Sequence, residues 1–403
     1  MLCPKGITMR IAMFTDSYSP QINGLVTSID AFLKQLRKKG HDVHVFAPRV
    51  PGYHDKDRRI HRSASFEFAP YKEYRIAVPA AIKGSFDIVH VHSPFSMGFS
   101  GIAYARKNRI PVIGTFHTLF PEYGHYLIKS EKLLRLFRGA YRKISWSYLR
   151  WFYSKCDYIT VPSGHVKKQM IKHGIKRPVY VIPTGIEVKS LGKGRKSLRR
   201  KHGFAGEKII LHVGRLTREK NILFILRSLE KLLRKENAVF VITSDGPYRS
   251  ELEREAVKLG LQKKVKFTGY VDSERLGELY AIADVFVIAS KTETQGIVLI
   301  EAVANKLPIV ALNAPVTGDF LKENEYGIVA NSKNFAGRVS AVLKSGRKAE
   351  ESVKNAPVVL EKYSAESCAD EMLKLYEKAA GKMTSSAVNH SRDSPASVRR
   401  PSA

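Results

Sequence analysis

The sequence predicts an α/β protein built from two parallel-sheet domains. At 403 residues the chain is too long for one ordinary core, and two domains of roughly 180 residues each are expected. Short apolar runs alternate with helical patterns along most of the chain, which is typical of parallel sheets with right-handed crossovers. The alternation lapses at residues 190–201, where glycine, lysine and arginine dominate. A hinge or exposed connection between the domains is therefore predicted there.

The first domain begins with an apolar strand at residues 11–15. A polar loop at 16–24 follows, and a helical pattern from 25 to 39 ends at Gly40. Later apolar runs predict further strands at 43–47, 87–92, 111–117, 158–161 and 179–182. Together these segments predict one parallel sheet with helices between its strands.

The second domain repeats this pattern. Its apolar runs predict strands at 209–213, 239–243, 265–267, 285–289 and 309–312, separated by helices such as 221–233 and 250–259. The predicted organisation is an N-terminal extension at 1–8, a first domain at 9–188, a basic linker at 189–207, a second domain at 208–362 and a last helix at 363–382. Residues 383–403 are rich in serine, proline and arginine without periodicity, and we predict that they are disordered.

Composition excludes several classes of protein. Hydrophobic residues make up 44% of the chain, yet no apolar run approaches the ~18 residues that a membrane-spanning helix needs. No secretory signal is recognisable. The three cysteines are widely scattered, which argues against a disulfide framework and against a clustered metal site. A cytoplasmic protein is therefore expected.

The net charge of +31 predicts an anionic partner. Residues 129–155 hold eight basic residues and one acidic residue in a helical pattern with an apolar, aromatic face. An anionic bilayer attracts such a helix, although an ordinary helix whose apolar face meets the core has the same pattern. The candidate membrane residues are Arg135, Arg138, Arg142, Trp146 and Trp151. A nucleic-acid partner is the rival interpretation, but no binding module is recognisable, so no specific nucleic acid is expected.

The stretch 290–301 is the strongest candidate site, because Glu293 and Glu301 lie on either side of a glycine. The apolar run before it predicts a strand, and the residues after Gly296 predict a helix. At ~1.5 Å rise per residue, Glu301 lies on the order of 8 Å from the N-terminus of that helix. First-turn amides bind phosphate and carboxylates accept hydrogen bonds from hydroxyls, so the stretch could hold a sugar, a diphosphate and a ribose.

A basic loop at 213–221 follows another predicted strand of the second domain. Ligands of open parallel sheets bind beyond the carboxyl ends of the strands. Arg215 and Lys220 could therefore neutralise a diphosphate, which gains negative charge when it leaves as a nucleoside diphosphate. A solvated basic loop is the alternative interpretation of this segment taken alone.

Two further strand ends offer weaker candidates. Backbone groups near Tyr270 and Val271 could receive a nucleotide base, or could simply form a turn. Asn23 and Gly24 stand where a helix is predicted to begin, and glycine there could approach a phosphate closely or belong to a simple helix cap. No Gly-x-Gly-x-x-Gly fingerprint follows the first strand, which argues against a nicotinamide enzyme.

Polar residues of the first domain could contact an acceptor. His117 ends a predicted strand, and Asp16, Glu122 and His125 are candidates for acceptor contact, with loop packing as the alternative. The pair Asp55 and Asp57 resembles a metal-sugar-diphosphate signature, but no strand precedes it. We interpret that pair as coincidental and expect no metal.

Several of these segments together resemble the retaining glycosyltransferases of family four. The resemblance runs from about Met9 to Gly381 and rests on five segments: 14–24 (FTDSYSPQING), 114–117 (GTFH), 181–187 (VIPTGIE), Gly214–Arg215 with Lys220, and 293–301. It implies the GT-B fold, in which two Rossmann-like parallel-sheet domains face each other across a cleft. It also implies that the last helix crosses back to the first domain.

The resemblance implies a role for each matching residue. Arg215 and Lys220, with Gly214, would hold the donor diphosphate, Glu301 the ribose and Glu293 the transferred sugar. The amides of Gln295, Gly296 and Ile297 would assist Glu293, His117 would touch the donor sugar, and Gly24 would meet the diphosphate when the domains close. Catalytic roles are thus expected for Arg215, Lys220, Glu293 and His117.

Residues 292–296 (TETQG), His117 and residues 121–126 (PEYGHY) are similar to the subgroup that glucosylates diacylglycerol-type lipids. That similarity implies transfer of a hexose, glucose from UDP-glucose, to a lipid acceptor by a retaining enzyme that needs no metal or other cofactor. It also implies a location on the inner face of the membrane. The alternatives are a hexosyl- or mannosyltransferase of the same family with a soluble or polysaccharide acceptor, a UDP-sugar epimerase, and a nucleic-acid-binding protein.

Overall fold

The computed structural model describes residues 8–68, 74–79, 81–124, 131–187 and 195–392, with the backbone alone for 131–135, 348 and 382–392. These residues form two compact units. One contains the described residues up to Ile182 together with those from Cys368, and the other is Pro183–Ser367. The predicted extension at 1–8 lies outside the described residues except for its last residue, and so do residues 189–194 of the predicted linker.

The first unit contains nine strands and four helices in the described part of the chain before residue 183. The strands are β1 (Arg10–Phe14), β2 (Asp42–Pro48), β3 (Ile60–Ser63), β4 (Ser65–Glu67), β5 (Arg75–Ala77), β6 (Ile88–Val91), β7 (Val112–Thr115), β8 (Tyr158–Val161) and β9 (Val179–Val181). The helices are α1 (Gly24–Lys38), α2 (Ser96–Asn108), α3 (Glu131–Tyr153) and α4 (Gly164–Lys172).

The second unit contains six strands and nine helices among its described residues. The strands are β10 (Lys208–His212), β11 (Ala238–Ile242), β12 (Val265–Phe267), β13 (Val285–Ile288), β14 (Ile309–Leu312) and β15 (Ile328–Ala330). The helices are α5 (Arg195–Lys201), α6 (Ile222–Lys235), α7 (Arg249–Lys258), α8 (Ser273–Ile282), α9 (Ile297–Ala304), α10 (Pro315–Glu323), α11 (Phe335–Lys344), α12 (Gly346–Val353) and α13 (Ala356–Lys362). A last helix, α14 (Ala365–Arg392), continues into the first unit.

Each unit is organised around one parallel sheet. The strand order is β3-β2-β1-β6-β7-β8-β9 in the first unit and β12-β11-β10-β13-β14-β15 in the second, and β4 and β5 form a separate antiparallel pair. Both sheets are therefore doubly wound, as predicted. The sequence did not predict β3, β4, β5 or β15, because these strands are short and three of them lack an apolar run.

Successive apolar side chains of the strands point to opposite faces of the first sheet, and both faces are buried. Ala12 and Phe14 of β1 pack with α2, α3 and α4, whereas Ile11 and Met13 pack with α1 and α14. Helix α14 places six buried residues in that second layer: Cys368, Ala369, Met372, Leu375, Tyr376 and Ala379. Their spacing of three and four residues forms one apolar face. The predicted return of the last helix to the first domain is confirmed.

Helix α14 runs further than the sequence predicted. It continues to Arg392, so residues 383–392 are helical where disorder was expected, and residues 393–403 lie outside the described residues. Adding a turn to a helix that packing already holds costs little, because nucleation is the unfavourable step. None of the described helices combines the length and the apolar character that crossing a bilayer demands.

Candidate active site

The loop after β13 contains the two glutamates of the strongest predicted site. Gly296 precedes α9 with a φ of 78°, a conformation that L side chains rarely adopt. A Cβ atom at this position would lie 3.0 Å from Leu299 Cδ1. The turn therefore needs glycine, both because of this backbone conformation and because a side chain would have no room. Glu293 Cγ lies 4.0 Å from the same Cβ position, so the carboxylate belongs to the turn that begins α9.

Lys220 and Glu293 form a largely buried ion pair. Lys220 Nζ lies 2.5 Å from Glu293 Oε1, and the two side chains are 23% and 12% exposed. Burial alone raises the pKa of Glu293, but the charge and hydrogen bond of Lys220, together with Ser290, outweigh it, so that the pKa is lowered. Glu293 is therefore an anion at neutral pH, and its charge is matched by the lysine that the sequence assigned to the diphosphate.

Hydrogen bonds to backbone carbonyls join the loops that carry this pair. The amide of Lys291 donates to the carbonyl of Glu219 at 3.3 Å, and Asn221 Nδ2 donates to the carbonyl of Ala289 at 3.3 Å. Lys220 itself ends a 3-10 turn, Arg218–Lys220. The loops after β10 and β13 are thus held together within one unit, which keeps the ion pair in place.

Gly214 and Arg215 follow β10 directly. Gly214 has a φ of 151°, and a Cβ atom there would lie 3.6 Å from His212 Nε2 and 3.7 Å from Lys220 Cε. The glycine therefore opens a space bordered by both side chains. Arg215 is partly buried beside it. The structure thus brings Gly214, Arg215, Lys220 and Glu293 to one edge of the second sheet, as the sequence predicted for a diphosphate site.

His212 is a buried residue of this region that sequence reasoning missed. Its Nδ1 lies 2.9 Å from the carbonyl oxygen of Val287, which only accepts, so Nδ1 carries the proton. Burial lowers the pKa of His212 to about 4, which leaves the ring neutral. Nε2 is then a buried lone pair without a hydrogen-bond partner among the described residues. The sequence feature that could have identified His212 is a single histidine at the end of a predicted apolar strand.

Glu301 lies deeper in the same unit, about one turn into α9. Its Oε2 accepts a hydrogen bond from the hydroxyl of Tyr280 at 2.8 Å. Burial raises the pKa of Glu301, and the Tyr280 hydrogen bond partly offsets that increase. Sequence reasoning missed Tyr280 because nothing in the local pattern of α8 links it to a glutamate on the next helix.

The remaining donor candidates have different surroundings. The side-chain amide of Gln295 donates to the carbonyl of Thr184 at 2.7 Å and accepts from its amide at 2.8 Å. Tyr270 is 60% exposed, while Val271 packs against the core. Ile297 begins α9. The roles assigned to the backbones of Gln295, Tyr270, Val271 and Ile297 stay predictions.

Three histidines cluster at the carboxyl end of the first unit's sheet. His92 Nδ1 lies 3.0 Å from His117 Nε2, and the rings of His90 and His92 are 4.0 Å apart. His90 Nδ1 contacts the hydroxyl of Tyr376 on α14 at 2.7 Å. Burial lowers the pKa of His90 and of His117 to about 3, and that of His92 also falls well below its ordinary value. His92 thereby orients His117, the residue that the sequence singled out.

Acid is expected to destabilise the first unit between about pH 6.5 and 3, because unfolded histidines bind protons in that range and buried ones do not. The unfolded state then binds more protons, so the free energy of unfolding falls as the pH falls. Each histidine of the cluster contributes about 1.4 kcal/mol per pH unit inside this window. Denaturant unfolding at pH 7, 6 and 5, followed by tryptophan fluorescence, measures the effect, since Trp146 and Trp151 both lie on α3.

A matched pair of variants identifies the source of this acid sensitivity. His90→Gln should reduce the pH slope by about one histidine's share, whereas His54→Gln, at an exposed position, should leave it unchanged. A free energy of unfolding that is the same at pH 7 and pH 5 would contradict the prediction.

Asp16 is enclosed by its hydrogen-bond partners. Its oxygens accept hydrogen bonds from the hydroxyls of Ser93 and Ser96 and from the amide of Met97, and its side chain is buried. The contacts with Ser96 and Met97 cap the start of α2 and join this helix to the loop after β1. This arrangement fits a structural role, and acceptor contact at Asp16 stays a prediction. Burial raises the pKa of this carboxyl.

Gly24 begins α1, and the preceding Asn23 caps the helix. The side-chain oxygen of Asn23 accepts from the amides of Leu25 and Val26 at 3.1 and 3.0 Å. The helix-cap interpretation of this segment is therefore observed, and the phosphate contact of Gly24 stays a prediction.

Glu122 lies beside two arginines of α3. Its carboxylate oxygens are 3.1 Å from Arg142 and 3.7 Å from Arg138. This arrangement fits loop packing, and acceptor contact at Glu122 stays a prediction. His125 lies outside the described residues, as does the side chain of Arg135.

The two tryptophans of α3 have different environments. Trp146 is 5% exposed, and its ring stacks on His173 at 4.1 Å and lies parallel to Phe116 at 6.1 Å. The predicted membrane contact of Trp146 is therefore wrong, because the side chain belongs to the core. Trp151 is 52% exposed.

The acidic pair at 55–57 has structural partners. Asp55 accepts two hydrogen bonds from Arg62 at 2.7 and 2.8 Å, and Asp57 accepts one from Arg37. Both carboxylates are thus engaged in ion pairs of the first unit.

Two family models and a solved structure show to which class of protein this chain belongs. The chain matches the Glycosyltransferase Family 4 model over residues 22–190 and the Glycosyl transferases group 1 model over residues 194–379. It superimposes with a TM-score of 0.71 on the HepE protein of Anabaena, solved with UDP-glucose, at 15% identity and with 92% of this chain and 100% of that chain covered. The protein has the GT-B fold and is a glycosyltransferase.

Curated relatives establish the family. The chain is 34% identical over 361 residues to an alpha-monoglucosyldiacylglycerol synthase of Streptococcus pneumoniae, covering 83% of this chain and 78% of the relative. It is 30% identical over 345 residues to the enzyme of the same name from Acholeplasma laidlawii, covering 80% and 85%. The chain belongs to the family 4 glycosyltransferases.

Proposed function

We propose that this glycosyltransferase transfers glucose from UDP-glucose to a diacylglycerol-type membrane lipid. The observation that carries the proposal is its 34% identity to an alpha-monoglucosyldiacylglycerol synthase over most of both chains. The solved neighbour with bound UDP-glucose supports the choice of donor.

The geometry of the second unit suits a nucleotide-sugar donor. Lys220 and Arg215 supply positive charge for the diphosphate, and the first-turn amides of α9 supply hydrogen-bond donors. Glu293, held by Lys220 at 2.5 Å, supplies an acceptor for sugar hydroxyls, and Glu301 supplies one for the ribose. These two cations take the charge-neutralising role for the leaving diphosphate, so transfer is proposed to be independent of metal.

The proposed reaction retains the configuration at the anomeric carbon. The bond between that carbon and the phosphate oxygen breaks, and the acceptor hydroxyl forms the new bond on the same face of the sugar. The hydroxyl proton passes to the departing phosphate oxygen. Lys220 and Arg215 stabilise the charge that develops there, which is where electrostatic assistance has the largest effect on rate.

The outer surface of α3 suits the lipid side of this reaction. Phe137, Ile144 and Trp151 are 50%, 68% and 52% exposed and stand seven residues apart, so they form one line along the helix. The parallel line one residue earlier contains Leu136, Lys143 and Arg150. We call these six residues the α3 surface.

An apolar line beside basic side chains is what an anionic bilayer interface attracts. Lys143 and Arg150 are basic residues of the second line, and Lys155 Nζ lies 4.2 Å from the ring centroid of Trp151. Arg138 and Arg142 lie near Glu122 instead. We therefore propose peripheral binding to an anionic membrane through the α3 surface, which would bring the enzyme to its acceptor.

One assay tests the reaction. The protein is incubated with UDP-glucose, UDP-galactose, GDP-mannose or GDP-glucose and with vesicles that contain diacylglycerol, with and without EDTA, and the lipids are analysed by mass spectrometry and NMR. Glucosyl-diacylglycerol with an α linkage, formed equally with EDTA, is the expected product. A product only from GDP-mannose would favour a mannosyltransferase, and epimerised UDP-sugar without acceptor would favour an epimerase; either result would contradict the proposal.

A further inference from the structure

A buried tyrosine holds the carboxylate that the proposed function assigns to the ribose. Tyr280 on α8 is 2% exposed, and its hydroxyl lies 2.8 Å from Glu301 Oε2 on α9 and 3.3 Å from the carbonyl of Val298. Within the described chain Glu301 Oε1 has no hydrogen-bond partner. One carboxylate oxygen is therefore engaged by the protein, and the other is left for a ligand.

The tyrosine is itself rigidly placed. Its ring packs against Phe286 of β13 with 5.9 Å between centroids, and both side chains belong to the core of the second unit. Burial, strengthened by the adjacent Glu301, raises the pKa of the Tyr280 hydroxyl well above its ordinary value, so it remains a donor at all working pH values. A fixed donor on one oxygen sets the plane in which the carboxylate can accept further hydrogen bonds.

Two neighbouring hydroxyls are the ligand chemistry that such a carboxylate recognises. A carboxylate has about four lone-pair sites on two oxygens, and Tyr280 occupies one of them. The vicinal 2′- and 3′-hydroxyls of a ribose can donate to the remaining sites when the carboxylate of Glu301 does not rotate. Rotation would cost part of this interaction, because a hydrogen bond to a charged group depends on direction.

We propose that Tyr280 is a positioning residue that fixes Glu301 for recognition of the ribose hydroxyls and thereby determines selectivity for ribonucleotides over deoxyribonucleotides. This inference rests on the proposed donor function of Glu301. Tyr280 acts through Glu301 and does not itself contact the ligand.

The experiment compares the affinities of the full-length protein for UDP, 2′-deoxy-UDP and 3′-deoxy-UDP by calorimetry. The wild-type protein should bind UDP roughly 10- to 100-fold more tightly than whichever of the two deoxy compounds binds more weakly. This is the loss expected for one hydrogen bond to a charged group. Tyr280→Phe keeps the ring and removes only the hydroxyl, and it should reduce that preference to about three-fold or less. In the transfer assay the KM for UDP-glucose should rise while kcat changes little.

Tyr326→Phe is the matched control. Tyr326 is a buried tyrosine of the same unit whose hydroxyl donates to the carbonyl of Leu307 at 3.1 Å. Its loss removes a comparable hydrogen bond away from Glu301, so the preference for UDP should equal that of the wild-type protein. If Tyr280 had only a structural role, Tyr280→Phe and Tyr326→Phe would show the same preference for UDP over the deoxy compounds.

A second comparison remains informative if Tyr280→Phe folds poorly. Glu301→Gln alone and Glu301→Gln combined with Tyr280→Phe should bind UDP equally, because the tyrosine acts only through the carboxylate. The proposal is overturned if Tyr280→Phe retains the wild-type preference, or if the double variant binds UDP several-fold more weakly than Glu301→Gln. A wild-type protein that binds UDP without discriminating against either deoxy compound would instead remove the ribose role of Glu301, while a protein that binds no UDP would overturn the donor proposal itself.

Discussion

Replacing Lys220 with methionine is expected to lower kcat for sugar transfer about 10²- to 10³-fold, the magnitude typical of losing one preorganised donor to a developing anion. The ammonium group lies 2.5 Å from Glu293 and borders the space above Gly214, where the leaving diphosphate would gain charge. Methionine keeps most of the apolar side-chain stem, so the change removes mainly the charge. A radiolabelled-sugar assay at saturating donor and acceptor measures the loss.

Lys220→Met could also lower turnover by destabilising the protein, because it breaks the ion pair with Glu293. A second variant separates the two effects. Without Lys220, the carboxylate of Glu293 is left mostly buried and without that countercharge, and breaking a buried pair in this way can cost about 3–5 kcal/mol of stability. The double variant Lys220→Met with Glu293→Gln removes both charges, and its free energy of unfolding should recover. Its turnover should stay low, because the catalytic charge is still missing.

Lys208 provides a control for the loss of a positive charge alone. Lys208 begins β10, whereas Lys220 follows its other end, and the Lys208 side chain is exposed. Lys208→Met should therefore leave kcat within about two-fold of the wild-type value, because surface substitutions away from special features have small effects. Turnover of Lys220→Met equal to that of Lys208→Met would refute the assignment of Lys220.

Much of the second unit's site could be predicted because its signals are local. Glycine at 296, an apolar strand before it and an apolar helix after it define one strand-turn-helix segment, and the φ of 78° at Gly296 shows why glycine is needed. Lys220 and Glu293 are distant in sequence, but each follows a parallel strand, and neighbouring strands end at one edge. The topology thus brings them together.

Contacts that depend on the rotation of a helix could not be predicted. Trp146 and Trp151 are five residues apart, which is about 140° around a helix, so one side chain faces the core and the other faces outwards. The sequence shows aromatic residues at both angles and does not say which neighbours cover α3. Tyr280 and Glu301 present the same difficulty, because their contact requires the relative placement of α8 and α9.

Replacing Phe137, Ile144 and Trp151 together with serine is expected to lower partitioning onto anionic vesicles about 100-fold. Fully burying one large apolar side chain contributes about 1.5–3 kcal/mol, and partial insertion of three such side chains at an interface suffices for this loss. Vesicle flotation with phosphatidylglycerol-rich liposomes measures it. Binding of UDP should be unchanged, since these side chains lie on α3 in the first unit and the donor residues lie in the second.

The control removes three similarly exposed apolar side chains elsewhere. Ile171, Val257 and Val358 are 55%, 62% and 69% exposed on three other helices, and their triple replacement with serine should leave vesicle binding within about two-fold of wild type.

A separate variant, Lys143→Gln with Arg150→Gln, should weaken binding to anionic vesicles about 30-fold at low salt and leave binding to neutral vesicles unchanged, because each basic residue near an anionic surface contributes about 1 kcal/mol. If the two serine variants bind equally well, the α3 surface does not contact the membrane. If only the charge variant loses binding, the association is electrostatic and the apolar line does not insert.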